Sequence, residues 1–316
     1  MPKQPLGGTQ LINNYLHKHL KLDGFHIWPT TFDDKEIDPN VINIYHQHLE
    51  ASLGYMPEIF TEERMALMDS IVFISHWQFE DYIIQYPWLD TSKCCIIKNA
   101  TNPFPIPWKH KQRDGKLKMI YTSTPFRGLQ HVPEIWRRLD RDDVELDIYS
   151  SLEIYGQGFV DKVHEAYGSR YEDLFEELDS IDGINYKGYV SNDQIRQACM
   201  DAHIYMYPAI VMETSCLSLM EGLAAGCASV VTSLGALPET GGEFAYYSLM
   251  DFNDDRLIDN YTKQLDRVCN DYWTQPVQDK LKEQYNFYLH HYNWDLRIKE
   301  WELLLKDLQT LSKDKN

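Results

Sequence analysis

Met212–Gly226, METSCLSLMEGLAAG, is the stretch whose reading decides the fold. Thr214 and Ser215 are good N-cap residues, and Leu217, Leu219, Met220 and Leu223 supply an apolar face. Gly226 is the expected C-terminal stop, so the pattern predicts a loop turning into a buried helix. Glu221 falls inside the apolar run, where a carboxylate seldom stands without a partner because its desolvation is costly. Glu213 lies eight residues earlier, at the mouth of the same helix, roughly 12 Å away along an axis rising about 1.5 Å per residue. Between the two carboxylates are the unpaired N–H groups of the first helical turn, a ready anion site.

Two readings fit this spacing. In one, a diphosphate docks at the helix start with one carboxylate for each flanking cluster of sugar hydroxyls, as a nucleotide-sugar would present them. In the other, the helix is a core element whose carboxylate is satisfied by a neighbouring Arg or by backbone. The next residues favour a ligand site. Cys227–Val231 (CASVV) reads as a buried strand and 232–242 (TSLGALPETGG) as a turn-rich loop. Helix, short apolar strand and Gly/Pro loop form a unit of doubly wound α/β domains, which bind ligands beyond their strand ends.

The whole segment, YPAIVMETSCLSLMEGLAAGCASVVTSLGALPETGG, resembles the donor-binding signature of family 4 retaining glycosyltransferases, with two glutamates separated by seven residues. The similarity is dense across 188–242 and thinner over most of the chain. It implies the GT-B fold, an α/β architecture in which two Rossmann-like domains with parallel sheets face each other across a donor-holding cleft.

Composition narrows the partners. The chain has 316 residues, 43% of them hydrophobic, enough for two packed domains. A formal net charge of −18 argues against nucleic acid, whose phosphates it would repel, and against an anionic membrane surface. No run approaches the length of apolar sequence that spans a bilayer, and the N-terminus does not read as a signal peptide, so a cytoplasmic location is expected. The six cysteines are scattered, with only Cys94 and Cys95 adjacent, and read as reduced, packed thiols. The histidine pairs His17/His19, His46/His48 and His290/His291 lack a carboxylate or Cys at metal-ligand spacing, so no metal site is expected. Asp33-Asp34, Asp142-Asp143 and Asp254-Asp255 read as solvated turns.

Taken in order, the chain opens with a Gly7-Gly8 turn ahead of an amphipathic run, LINNYLHKHL, a geometry that brings backbone N–H groups close to a ligand. In the resembling family such a turn faces the donor phosphates. Here it stands almost at residue 1 without a preceding strand, so an abbreviated first domain is expected. Strand-like runs follow at 25–28, 41–46, 70–75 and 94–97. The second ends in YHQH, and the C-terminal end of a strand is where α/β domains place ligands. The resemblance puts a His there against the donor sugar; His48 is preferred over His46 because the strand should end before it. Residues 102–114, with three prolines and then charge, read as an interdomain linker. The expected domains are 1–110 and 111–292, with a final helix from about 293 to 316 crossing back onto the first domain.

Beyond the linker the pattern restarts as strand (LKMIYTST), helix (LQHVPEIWRRL) and strand (VELDIYS), the alternation of a parallel sheet. The loop STPFRGL puts Arg127 where a guanidinium fork can meet a diphosphate. Similar enzymes often carry a second Arg earlier in this loop, and this chain has Ser123 and Thr124 instead. Lys187 adds positive charge, and the resemblance sets the backbone of Tyr189 and Val190 near the nucleotide base. Ser191 with Gln194 has capping-box spacing for a helix, and HIYMYPA is a strand that delivers Tyr207, Pro208 and Glu213 to the cleft.

The resemblance then implies transfer of a sugar from a nucleotide-diphosphate donor to an acceptor hydroxyl with retained configuration, without cofactor or metal. Arg127 and the helix start at Thr214, Ser215, Cys216 and Leu217 would meet the diphosphate, with Thr124 and the Gly7-Gly8 turn beside it. Glu213 would hold sugar hydroxyls, Glu221 the ribose diol, and His48 the sugar from the opposite domain. The alternatives are a nucleotide-sugar-binding module without turnover, or an epimerase or phosphorylase on the same architecture.

Overall fold

The computed structural model describes residues 7–102, 104, 111 and 115–314. Most of the expected linker at 102–114 lies outside them. Two fully parallel sheets organise the chain. The first contains β1 (Phe25–Pro29), β2 (Ile42–His46), β3 (Ser70–Phe73) and β4 (Cys94–Ile96) in that spatial order. The second contains β5 (Leu117–Tyr121), β6 (Val144–Ile148), β7 (Ile184–Tyr186), β8 (Ile204–Tyr207), β9 (Ala228–Thr232) and β10 (Tyr246–Ser248), in the order β10-β9-β8-β5-β6-β7. Each sheet with its covering helices is called a lobe below.

The central strands β2, β3, β8 and β9 are buried along most of their length, as parallel strands covered on both sides are, whereas β6 (VELDI) alternates buried and half-exposed residues. In β2, Ile44 and Tyr45 point to opposite sides. Ile44 joins Ile27 and Val72 under the Gly8–His19 helix and the final Trp294–Asp314 helix, through Leu16, Trp294 and Trp301. Tyr45 packs with Phe60, Phe73 and Tyr82 on the other face. Tyr15 stacks on Trp294 at a ring separation of 4.0 Å, so the two helices cover that face together. The chain's last helix therefore caps its first sheet.

The second sheet holds a larger core, running from Phe104 to Tyr292. Its strand order reverses at β5: connections run one way to β6 and β7, and the other way to β8, β9 and β10. At such a switch point the loops leaving adjacent strands diverge and open a crevice at their carboxyl ends. β5 and β8 are hydrogen-bonded neighbours in the register Met119↔Ile204 and Ile120↔Tyr205. Arg127 follows β5 and Glu213 follows β8, so topology alone brings the two loops together.

The helix expected after Glu213 spans Leu217–Ala224. It stops as the sequence predicts: Gly226, at φ 74°, donates to Leu223 O and Cys227 N donates to Gly222 O, the paired bonds of a Schellman motif. Its start differs from the reading above. Neither Thr214 nor Ser215 caps it; the N-cap is Cys216, whose side chain makes no capping bond. The Thr214 hydroxyl instead donates to His48 O in the other lobe at 2.8 Å, so the interlobe contact has taken the group that local spacing assigned to the cap.

Candidate functional site

A cavity of about 460 Å³ opens between the lobes, over the carboxyl ends of β5 and β8. That is room for a drug-sized or nucleotide-sized ligand. From the first lobe Gly7, Gly8, His48 and Asn99 reach it. From the second come Arg127, Glu213 and Glu221, with Thr124, Tyr189 and Val190. Thr214, Ser215, Cys216 and Leu217 line the helix start. Leu217 is also packed against the apolar clusters of both sheets, so it ties the two cores together at this point.

Arg127 and Glu213 form the central pair, Nη1 to Oε1 at 2.5 Å. Glu213 is almost fully enclosed, and the same oxygen accepts from the Tyr207 hydroxyl at 2.5 Å. The Glu213 charge holds the Arg127 guanidinium protonated well above its ordinary range. The loop that carries Arg127 can lie this close only because residue 128 is glycine. Its φ is 126°, and a Cβ there would come within 2.0 Å of Pro208 O. The opposite side of the pair is fixed by Ala236 N, which donates to Glu213 O at 2.6 Å.

Glu221 has a neighbouring Arg, as the second reading expected, and it also faces the cavity. Its carboxylate pairs with Arg196 Nη1 at 3.1 Å. Desolvation raises the Glu221 pKa, and Arg196 opposes the rise. Arg196 in turn holds Thr101 Oγ1 and Asn102 O and lies over the Phe104 ring, so the pair is anchored where the chain passes between lobes.

His48 stands two residues beyond the end of β2, and His46 is the last residue of that strand. The two rings meet, His48 Nε2 to His46 Nδ1 at 3.2 Å. Burial pushes His48 down to about 3, so the ring facing the cavity is neutral. His46 is buried against Trp301 rather than open to the cavity.

Pro208, expected in the cleft, is buried and does not line the cavity, and two further residues expected at the site are elsewhere. The Lys187 ammonium is 3.5 Å from Asp147 and is not among the residues lining the cavity. Tyr207 is fully buried beneath the site and acts on Glu213 through its hydroxyl instead of touching a ligand. In both cases a partner inside the second lobe takes the polar atom.

Sequence reading expected Thr124 and Ser215 at the site and missed Thr122 and Ser150, which also line the cavity. Thr122, Thr124, Ser150 and Ser215 line the cavity, each with a buried hydroxyl that has no hydrogen-bond partner. Leaving such an oxygen unpaired costs about 1–3 kcal/mol, a cost that polar atoms of a ligand would remove. Glu50, two residues past His48, has a buried carboxylate oxygen without a partner, and burial followed by the Asp81 charge raises its pKa. Arg196 carried no signal beyond its place in an amphipathic helix. Thr122 and Ser150 each follow a strand of the recognised alternation, the one signal that pointed to them.

Among the described residues no group of three or more His, Cys, Asp or Glu side chains is arranged to hold a metal ion, and no helix is long and apolar enough to cross a membrane.

Comparison with known proteins agrees with this geometry. No curated protein sequence matches the chain. Solved structures match its fold over most of its length. A sucrose-phosphate synthase from Thermosynechococcus elongatus superposes with TM-score 0.62 at 13% identity, over 96% of this chain and 77% of that one. A glycosyltransferase from Rickettsia africae gives 0.65 at 13%, over 95% and 80%. Anabaena HepE in complex with UDP-glucose gives 0.61 at 11%, over 84% and 72%. At these identities the likeness is one of fold, the GT-B arrangement of two parallel sheets about a cleft. Residues 106–284, more than half of the sequence, match the family described as glycosyl transferases group 1, and the chain belongs to that family.

Proposed function

We propose that the chain is a retaining, metal-independent glycosyltransferase of family 4, moving a sugar from a nucleotide-diphosphate donor to an acceptor hydroxyl in the cytoplasm. The observation that carries this reading is the Arg127–Glu213 pair at the sheet's switch point, with Glu221 one helix length away in the same cavity. A diphosphate between Arg127 and the amides of Ser215–Leu217 would meet a fixed cation and a helix start, groups that stabilise charge as it develops on a leaving phosphate. The unpaired hydroxyls of Thr124 and Ser215 fit the same ligand, as do the Gly7-Gly8 backbone and the neutral His48 ring from the facing lobe.

In this reading Glu213 accepts from the sugar hydroxyls and Glu221 from the ribose diol, while the backbone at Tyr189 and Val190 lies by the base. The acceptor oxygen bonds to the anomeric carbon on the face the phosphate leaves, the bond from that carbon to the phosphate oxygen breaks, and the departing phosphate takes the acceptor proton. No protein base is required. The domains divide near residue 110, with the helix from about 293 returning to the first. HepE, of like fold, is recorded in complex with UDP-glucose, which supports a sugar nucleotide as the class of donor.

The test is incubation with uridine-, guanosine- and adenosine-diphosphate sugars, following nucleoside diphosphate release with and without sugar acceptors and the anomeric configuration of product by NMR. Release from one donor class, abolished by Glu213→Ala, is expected. Donor binding without any release would make the chain a binding module, and an inverted product would overturn the retaining assignment.

A further inference from the structure

Far from the chain's acidic surface helices, one carboxylate has an unusual number of partners. Glu239 sits in the short Leu237–Gly241 helix that follows β9 in the second lobe. Its carboxylate reaches into the first lobe, where Oε1 accepts from His76 N at 3.1 Å and from Lys98 Nζ at 2.8 Å, and Oε2 accepts from Trp77 N at 2.9 Å. His76 Nδ1 is also 3.0 Å away. His76 and Trp77 open the His76–Gln85 helix, whose first-turn amides lack partners within the helix itself. Ser75 caps the next amide, Gln78 N, and a glutamate from the other lobe serves the two before it. Burial alone would raise the Glu239 carboxyl, but Lys98 and the helix-start donors overcome that and hold it at about 2, so it is charged throughout the physiological range.

The location gives this contact a mechanical meaning. The chain passes between lobes at Thr101 and Asn293, which pair there, and Thr101 N donates to Tyr292 O. Lys98 lies three residues before that crossing, and the Tyr292 hydroxyl contacts Glu239 O at 3.4 Å. Glu239 therefore ties the lobes beside their pivot. From Glu239 the path to the candidate site is short. Its helix has Ala236 as N-cap, and Ala236 N is the group that holds Glu213 O. A rotation of the first lobe that pulled on Glu239 would pull on the backbone of Glu213.

We propose that Glu239 is a positioning residue that pins the rotation between the two lobes and transmits it to Glu213. It touches no ligand. The catalytic part of this inference rests on the function proposed above; the pinning part does not.

The test compares wild type with Glu239→Ala, Glu239→Gln and Lys98→Met. Hydrogen exchange at the His76 and Trp77 amides should rise at least tenfold in Glu239→Ala and less in Glu239→Gln, which keeps an acceptor but loses the charge. Small-angle scattering should show a larger radius of gyration, and kcat should fall about tenfold while nucleoside diphosphate affinity stays within twofold. Unchanged exchange and scattering would overturn the pin, and faster exchange with unchanged kcat would overturn its transmission to Glu213. If Glu239→Ala does not fold, Glu239→Gln and Lys98→Met carry the same readouts, with smaller shifts expected in the same direction. A protein that turns over no sugar nucleotide contradicts the proposed function, and the exchange and scattering results then decide the pin alone.

Discussion

The two walls of the cavity are built from different chemistry. The wall on the six-stranded sheet is charged and internally paired: Arg127 with Glu213, and Glu221 with Arg196. The wall on the four-stranded sheet offers a glycine turn, Asn99 and a histidine that burial keeps neutral. In the charged wall a phosphate would have to take Arg127 from Glu213, and the exchange would free that carboxylate for another partner. A neutral wall contributes little affinity for a diphosphate but can orient what the other wall holds. The contrast implies a division of labour, with binding on one side and alignment on the other.

The largest effect should come from the charged wall. Arg127→Ala is expected to lower kcat/KM by about 10³-fold and to weaken nucleoside diphosphate binding in calorimetry. It also leaves Glu213 enclosed without its cation, so the melting temperature should fall. Arg127→Lys should recover little, since an ammonium cannot reproduce the fork. On the neutral wall, His48→Ala should lower kcat by about 10²-fold, the scale of a misaligned reactant, with nucleotide affinity unchanged. Equal losses of affinity on both walls would erase the distinction.

A subtler outcome separates the partners within the charged wall. Glu213 now competes with any phosphate for Arg127. Glu213→Gln should therefore weaken binding of the sugar nucleotide while free nucleoside diphosphate binds about threefold more tightly, as the guanidinium loses its neutralising partner. Competition assays with both ligands would show it.

A further effect is on stability, and it separates His48 from Glu239 by pH. The unfolded chain takes up a proton at His48 near the ordinary pKa of about 6.5, whereas the folded chain refuses it until about 3. This stability is complete above that upper value and drains as pH falls through the window, at up to about 1.4 kcal/mol per pH unit. Glu239, held at about 2, behaves differently. Its contribution persists until pH drops below the ordinary carboxylate range of about 4.3. Urea melts at pH 7, 5 and 3.5 should lose stability already at pH 5, and His48→Gln should flatten that first step.

How much of this was legible follows from what kind of information each feature needs. Buried strands such as β2, β3, β8 and β9 are nearly continuous apolar runs, and β6 shows the alternation of a half-buried one, so β1 to β6, β8 and β9 were legible. β7 and β10 have three residues each and carry no such run. The capping box at Ser191 and Gln194 and the glycine stop at 226 are local devices and are present as read. The cap at Thr214 was misassigned because its hydroxyl answers to His48, 166 residues away. Arg196 was missed for the same reason, since only the packed helices show that it faces Glu221. Residue type and spacing pointed to most of the groups that line the cavity; the partners that hold those groups are long-range and came only with the fold.

The central claim is that a diphosphate docks between the Arg127 guanidinium and the opening turn of the Leu217–Ala224 helix. A crystal structure with whichever sugar nucleotide raises the melting temperature most would test it directly. The account predicts both phosphates within hydrogen-bond reach of Arg127 and the Ser215–Leu217 amides, with Glu213 released to the sugar. Phosphates lodged elsewhere, with the Arg127–Glu213 pair intact, would contradict it.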